Sequence, residues 1–287
     1  MSRRHAIEAH VGTLLDLRDV LDAMRTLSLA EIAKLHRTEA MRRDLLAALD
    51  GVAEATAPFY PALGAPPASA LWILVGSERG FCAGFNEAVA RRWDAVRAED
   101  PRARAIAVGS ASAVAPSDSV LARVAGPAIT EDIDATLIAV LREVAAYERS
   151  GDVPIALSTI ATGAGGVETT AILPYRPPRA TAAVRPPDLN VTPQEFIRGF
   201  VDQFVDAALH RIFAGSLLSE NRARLAHMTS AIDRLDDTVT ALRRRMHRMR
   251  QEEITQEVEM ILLSADDRSR ASMLSAGAIS ASSMPTG

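Results

Sequence analysis

Apolar residues recur at three- and four-residue steps over the first fifty positions, change to short β-branched runs in the middle of the chain, and return to a helical step after residue 192. Ile7, Val11, Leu14, Leu21, Met24, Ile32 and Leu35 fall on one helical face, and Gly12 is the only glycine before Gly51. This spacing predicts one helix over 1–57, roughly 75 Å long for about fifty residues. Between the proline-rich stretches 58–67 and 174–193, the runs 71–75, 104–108, 120–124, 155–160 and 169–173 predict strands, and 86–98 and 131–148 predict helices. Strands alternating with helices, at least early on, point to an α/β domain with a mostly parallel sheet, placed at 68–176. Proline neither donates to a ladder nor continues a helix, so both proline stretches read as boundaries.

Thr192-Pro193 supplies an N-cap and a proline at the first helical position, and the helical pattern then runs over 192–264. Within it Leu225, Met228, Ile232, Leu235, Val239, Leu242, Met246 and Met249 form an unbroken seam of alternating three- and four-residue steps. A strict 3.5-residue repeat winds left-handedly around a partner helix. A helix of about seventy residues reaches roughly 105 Å, too far to pack wholly on a domain of ~13 Å radius of gyration. The economical partner is the N-terminal helix, antiparallel in the same chain; homodimerisation through the seam satisfies the heptad equally well. The alanine-, serine- and methionine-rich segment 265–287 has no period and reads as a disordered tail.

Composition narrows the chemistry. The 287 residues are 48% hydrophobic and 24% charged, with a net charge of −4, which argues against general nucleic-acid binding. Lys34 is the only lysine and Cys82 the only cysteine, excluding an intramolecular disulfide and a multi-thiolate zinc site. No stretch approaches the ~18 apolar residues of a spanning helix, and Ser2-Arg3-Arg4 lacks an apolar region behind it, so a cytoplasmic protein is expected. His5, His10, His36, His210, His227 and His247 show no metal-ligand spacing. The glycines of the turn Ser77-Glu78-Arg79-Gly80-Phe81-Cys82-Ala83-Gly84-Phe85-Asn86 fall, with Gly76, at every fourth position, which matches neither a dinucleotide fingerprint nor a P-loop. No catalytic residue, metal or cofactor is assigned.

Ala23-Met24, the turn 77–86, Ser219-Glu220-Asn221-Arg222-Ala223-Arg224 and Arg250-Gln251-Glu252-Glu253-Ile254-Thr255-Gln256-Glu257 occur in this order along the chain. With terminal helices around a small α/β domain, they resemble the gamma subunit of F-type ATP synthases. The resemblance implies a Rossmann-like α/β domain inserted between long N- and C-terminal helices that form an antiparallel coiled coil. It implies a non-catalytic rotor shaft that couples ion translocation to ATP synthesis or hydrolysis, with alpha, beta and epsilon-type subunits and a membrane c-type ring as partners. It implies a place at the cytoplasmic face of a bacterial plasma membrane, peripheral through the complex, with no nucleic acid and no direct membrane insertion.

By the same resemblance Arg250 and Gln251 match a pair that bonds a beta-subunit loop, and Arg79 and Arg91 match basic side chains facing the beta subunit. Arg224, Thr255 and Glu257 match the coupling region, and Met24 sits at the seam. Ile254, Val258, Ile261, Leu262 and Leu263 would form an apolar tip. The sequence departs from the family in three places: Leu27-Ser28-Leu29-Ala30 replaces a lysine-rich tract, a lysine-glycine is missing after the second strand, and a tail runs beyond Asp267. These departures suggest a divergent branch of alternate bacterial complexes that work as ion pumps.

Two other readings use the same residues. A stand-alone Rossmann-like nucleotide-binding protein would use the glycine turn, and a coiled-coil adaptor would use the seam over 225–249. The basic cluster Arg243-Arg244-Arg245 with Arg248 is read as a solvated or partner-facing surface, because Leu242, Met246 and Met249 interrupt it.

Overall fold

A computed structural model describes residues 3–56, 58–60, 69–82, 84–151, 155–175 and 188–281. The elements among the described residues are α1 (Arg3–Thr56), β1 (Ser69–Val75), α2 (Phe85–Glu99), β2 (Arg104–Val108), β3 (Val120–Val124), a 3-10 turn (Thr130–Asp132), α3 (Ile133–Gly151), β4 (Ile155–Gly163), β5 (Gly166–Leu173) and α4 (Pro193–Ala281). They divide into two units, Asp22–Ser230 and the pair Met1–Leu21 with Ala231–Gly287.

The larger unit is built on a five-stranded sheet in the order β3-β2-β1-β4-β5. β1 pairs parallel with β2 and β4, β2 with β3, and only β5 runs antiparallel, closing a hairpin on β4. A central strand covered on both faces needs apolar residues at successive positions, and β1 supplies them in Leu71, Ile73, Leu74 and Val75, each no more than 1% exposed. Leu74 faces α2, where Val89, Trp93 and Val96 complete one layer. Leu71, Ile73 and Val75 join the other layer with Ile133, Leu137 and Val140 of α3, Leu35 of α1, and Leu209, Phe213 and Leu217 of α4. Full burial of side chains such as Phe213 and Leu209 contributes about 1.5–3 kcal/mol each. The larger unit is therefore three layers, with both long helices forming part of the third.

An aromatic cluster ties the end of α1 to the start of α4. Tyr175 packs edge-on against Phe200 and Phe204 at 5.3 and 4.4 Å, and its hydroxyl donates to Asp50 at 2.8 Å. Burial, then the Asp50 carboxylate, push the phenol well above its ordinary range.

In the smaller unit α1 and α4 pair antiparallel. Arg18 donates to Asp236 at 2.8 Å and Arg4 meets Glu253 at 3.6 Å, so positions fall along one helix as they rise along the other. Val11, Leu21, Ile232 and Val239 are buried there, and Leu235, Leu242, Met246 and Met249 are half-buried. Leu225 is half-buried and Met228 fully buried in the larger unit, where Met24 is half-buried. Of the two pairings left open by the heptad, the chain uses the intramolecular one.

The expected disordered tail is corrected over 265–281, which continues α4 to Ala281. That stretch has no proline and a single glycine, Gly277, amid alanine, methionine and leucine. An established helix extends through such residues at small cost, because nucleation has already been met. Residues 282–287 and most of both proline stretches lie outside the described residues. Expected helix and strand boundaries otherwise differ from those observed by at most three residues, as at the start of β5, which begins at Gly166 rather than 169.

Candidate functional site

The turn after β1 is held shut by its own first and last residues. Ser77 N–H donates to Asn86 Oδ1 at 2.8 Å, and Asn86 Nδ2 donates back to Ser77 Oγ at 2.8 Å. Cys82 Sγ lies 3.2 Å from the same Ser77 oxygen, and burial raises the thiol pKa, keeping it protonated. Gly84 at φ +75 ends the turn where α2 begins. Phe81 also has a left-handed backbone, φ 65, rare for a bulky residue. Its exposed ring lies 6.3 Å from that of His227 on α4.

Glu78 carries the turn across the C-terminal ends of the strands. Its carboxylate accepts from Ser110 N–H at 2.9 Å, Ser110 Oγ at 2.6 Å and Gly126 N–H at 2.7 Å. Partial burial pushes this carboxyl up, but those donors, with Arg79 nearby, outweigh it and leave its pKa below the usual range. Close approach explains Gly109, at φ +100, where a Cβ would come within 2.6 Å of the Ser77 carbonyl.

The other side of the turn grips α4. Arg224 donates through Nε to the carbonyl of Gly80 at 3.3 Å, through Nη1 to Asn221 Oδ1 at 3.1 Å, and through Nη2 to Glu220. Glu220 also accepts from the backbone N–H groups of Arg79 and Glu78. Burial raises the Glu220 pKa, opposed by Arg224 and those N–H groups. Both side chains of the pair are about 5% exposed or less, a setting in which removing one partner costs about 3–5 kcal/mol. The turn's donors at 77, 78 and 79 are thus committed to Asn86 and Glu220, side chains of the same chain.

Two segments 144 residues apart, Gly80 and Arg224, therefore form one site. Arg224, expected in the coupling region between the two terminal helices, is 4% exposed and captured by Glu220, Asn221 and the Gly80 carbonyl. Arg79 and Arg91 are exposed in the larger unit. Arg250, Gln251, Thr255 and Glu257 are exposed on α4 in the smaller unit, where Thr255 Oγ1 donates to the Gln251 carbonyl at 2.9 Å. Ile254, Val258, Ile261, Leu262 and Leu263 are 50–67% exposed. Glu78, Glu220, Asn221 and the Ser77–Asn86 clasp were not picked out from sequence. The spacing of Glu220 and Arg224, four apart on a helix, was the available signal.

A sequence model of the family described as ATP synthase matches residues 4–266. The chain belongs to the ATP synthase family. Within it the chain is of the gamma, central-stalk type: it is 28% identical over 211 residues to the ATP synthase gamma chain of Clostridium acetobutylicum, covering 68% of this chain and 72% of that one. The fold is similar to that of a chain in the Euglena gracilis mitochondrial ATP synthase, OSCP/F1/c-ring, rotational state 3. There the TM-score is 0.57 at 13% identity, over 94% of this chain and 95% of that one. A chain of the Tetrahymena thermophila mitochondrial ATP synthase central stalk and c-ring gives a TM-score of 0.50 at 14% identity, over 74% of this chain and 99% of that one. Among the described residues of this gamma-type chain, no helix is long and apolar enough to cross a membrane, and no group of three or more His, Cys, Asp or Glu could hold a metal ion.

Proposed function

We propose that the chain is a non-catalytic rotor shaft, coupling ion movement through a membrane ring to ATP synthesis or hydrolysis in a surrounding alpha/beta hexamer. The observation that carries this reading is the grip of the glycine turn on α4. Torque delivered to the α/β domain has to reach the long helix without slippage, and a buried ion pair bonded to the backbone of the turn resists sliding where apolar packing alone would yield. Antiparallel pairing supports it further, because a helix pair with internally satisfied backbones resists twisting better than one helix.

In this reading alpha, beta and epsilon-type subunits and a c-type ring are the partners, the beta subunits hold the catalytic sites, and the chain sits peripherally at the cytoplasmic face of a bacterial plasma membrane. Arg79, Arg91, Arg250 and Gln251 are the exposed donors offered to carboxylates of the hexamer. Thr255 and Glu257 extend that surface, and the exposed apolar residues 254–263 turn in an apolar sleeve, where contacts without directional bonds give shallow barriers.

The test is purification of the tagged chain from its native cells, with mass spectrometry of its companions and an ATPase assay. Alpha, beta and epsilon-type companions, with coupled activity lost on deletion from Arg250 onward, are expected. Recovery of the chain alone, without ATPase activity, would overturn the proposal.

A further inference from the structure

In the larger unit α1, the β4–β5 hairpin and α4 enclose a cleft of 340 Å³, within the range of small-molecule sites. Arg42 and Arg43 of α1 and Arg211 of α4 line it, against the carboxylates of Glu39 and Glu168. Glu39 is already paired within α1, and Glu168 is exposed on the hairpin. Glu39 meets Arg43 at 3.4 Å and His36 at 3.2 Å, and the Glu168 carboxylate lies over Gly163, where an added Cβ would come within 2.5 Å of it. Asp134, the acid that acts on Arg42 electrostatically, is itself held by His210 at 3.1 Å.

Two lining residues hold buried polar atoms without a hydrogen-bond partner among the described residues, Arg42 Nη1 and Thr162 Oγ1. Folded proteins leave few such atoms, and a guanidinium nitrogen shielded from water with no acceptor is the costlier of the two. Burial depresses the Arg42 pKa in keeping with that shortage of counter-charge. The remaining walls include Leu35, Ile212 and Leu218.

We propose that this cleft binds a small organic anion, its carboxylate or phosphate group paired with Arg42 and Arg211 and its apolar body set against Leu35, Ile212 and Leu218. A planar guanidinium fork suits either oxyanion, and the apolar walls select against the bare inorganic ion. The site shares no residue with the surfaces proposed for torque transfer, so it stands apart from that reading.

The experiment titrates the full-length chain with 4-(trifluoromethyl)benzoate, followed by fluorine NMR at constant ionic strength, with inorganic phosphate as competitor. Saturable binding is expected for wild type and for R37Q, a control at an exposed arginine of α1. Affinity in R42Q and R211Q should fall about tenfold or more, the loss of a charge-assisted hydrogen bond. Circular dichroism establishes that each variant keeps its helix content, and a variant that loses it is replaced by T162V. Absence of saturable binding to wild type, or equal affinity in wild type and the folded variants, overturns the proposal.

Discussion

The guanidinium of Arg224 donates to the carbonyl of Gly80 at 3.3 Å, joining the last turn of a helical recognition motif to a glycine turn 144 residues away. With Glu220 completing the pair, this contact holds the strand ends of the α/β domain against the C-terminal helix. The two motifs that carried the family resemblance in the middle of the chain are two halves of one joint.

Breaking the joint from its anionic side leaves a buried cation. Glu220→Ala is expected to destabilise the chain by about 3–5 kcal/mol in a urea unfolding titration, because Arg224 is only 4% exposed and cannot recover water. Replacing both residues together, Glu220→Met with Arg224→Met, should cost markedly less than Glu220→Ala alone. Equal losses would mean that the pair is not the energetic unit described.

The clasp at the mouth of the turn makes a smaller prediction. Asn86→Leu removes both bonds to Ser77 and leaves the buried Ser77 N–H without an acceptor. The expected cost is about 1–3 kcal/mol by thermal unfolding. Asn86→Asp, which keeps the acceptor but not the donor, should recover part of it.

Acid should weaken the chain partly through Glu78. Its folded-state pKa lies below the ordinary carboxylate value, so its contribution is fully present above the unfolded pKa and is lost as pH falls through the folded one. Unfolding free energy measured between pH 6 and pH 3, a window spanning about the reference carboxylate pKa, should therefore fall more steeply for wild type than for Glu78→Gln. Parallel curves would show that the bonds from Ser110 and Gly126 do not favour the charged form.

Gly109 is a steric prediction. An alanine there would hold an unfavourable left-handed backbone and bring its methyl within 2.6 Å of the Ser77 carbonyl. Gly109→Ala should lower stability by more than the 1–3 kcal/mol typical of backbone strain alone, whereas Gly12→Ala, on an open helix surface, should be neutral or stabilising in the same melt.

Exposed Arg250 makes the opposite kind of prediction. Arg250→Gln should leave the melting of the isolated chain within about 0.5 kcal/mol of wild type, and yet reduce ATP-driven rotation or coupled ATPase activity of the assembled complex. Unchanged coupling would remove Arg250 from the proposed contact surface.

Periodicity carried most of the architecture. The seam from Leu225 to Met249 alternates in three- and four-residue steps, and each seam residue is buried or half-buried, because a helix of fixed pitch turns spacing directly into a face. The central strands β1 and β2 were legible for the same reason: continuous apolar runs are what strands covered on both faces require. Spacing could not say which helix covers the seam, since a heptad is satisfied by any partner of matching length. Nor could it show that 265–281 stays helical, because a helix already under way needs no amphipathic period to continue.

The joint lay beyond sequence for a different reason. Glu220 and Arg224 read as an ordinary helical pair, and Gly80 as a turn residue; their relation depends on α4 returning beside the end of β1 after 144 intervening residues. Local chemistry along the chain determined the helices, the strands and the glycine turn. Only tertiary packing decided that Arg224 is buried while Arg79 is exposed, because burial is set by what folds back over a side chain and not by the side chain's own charge.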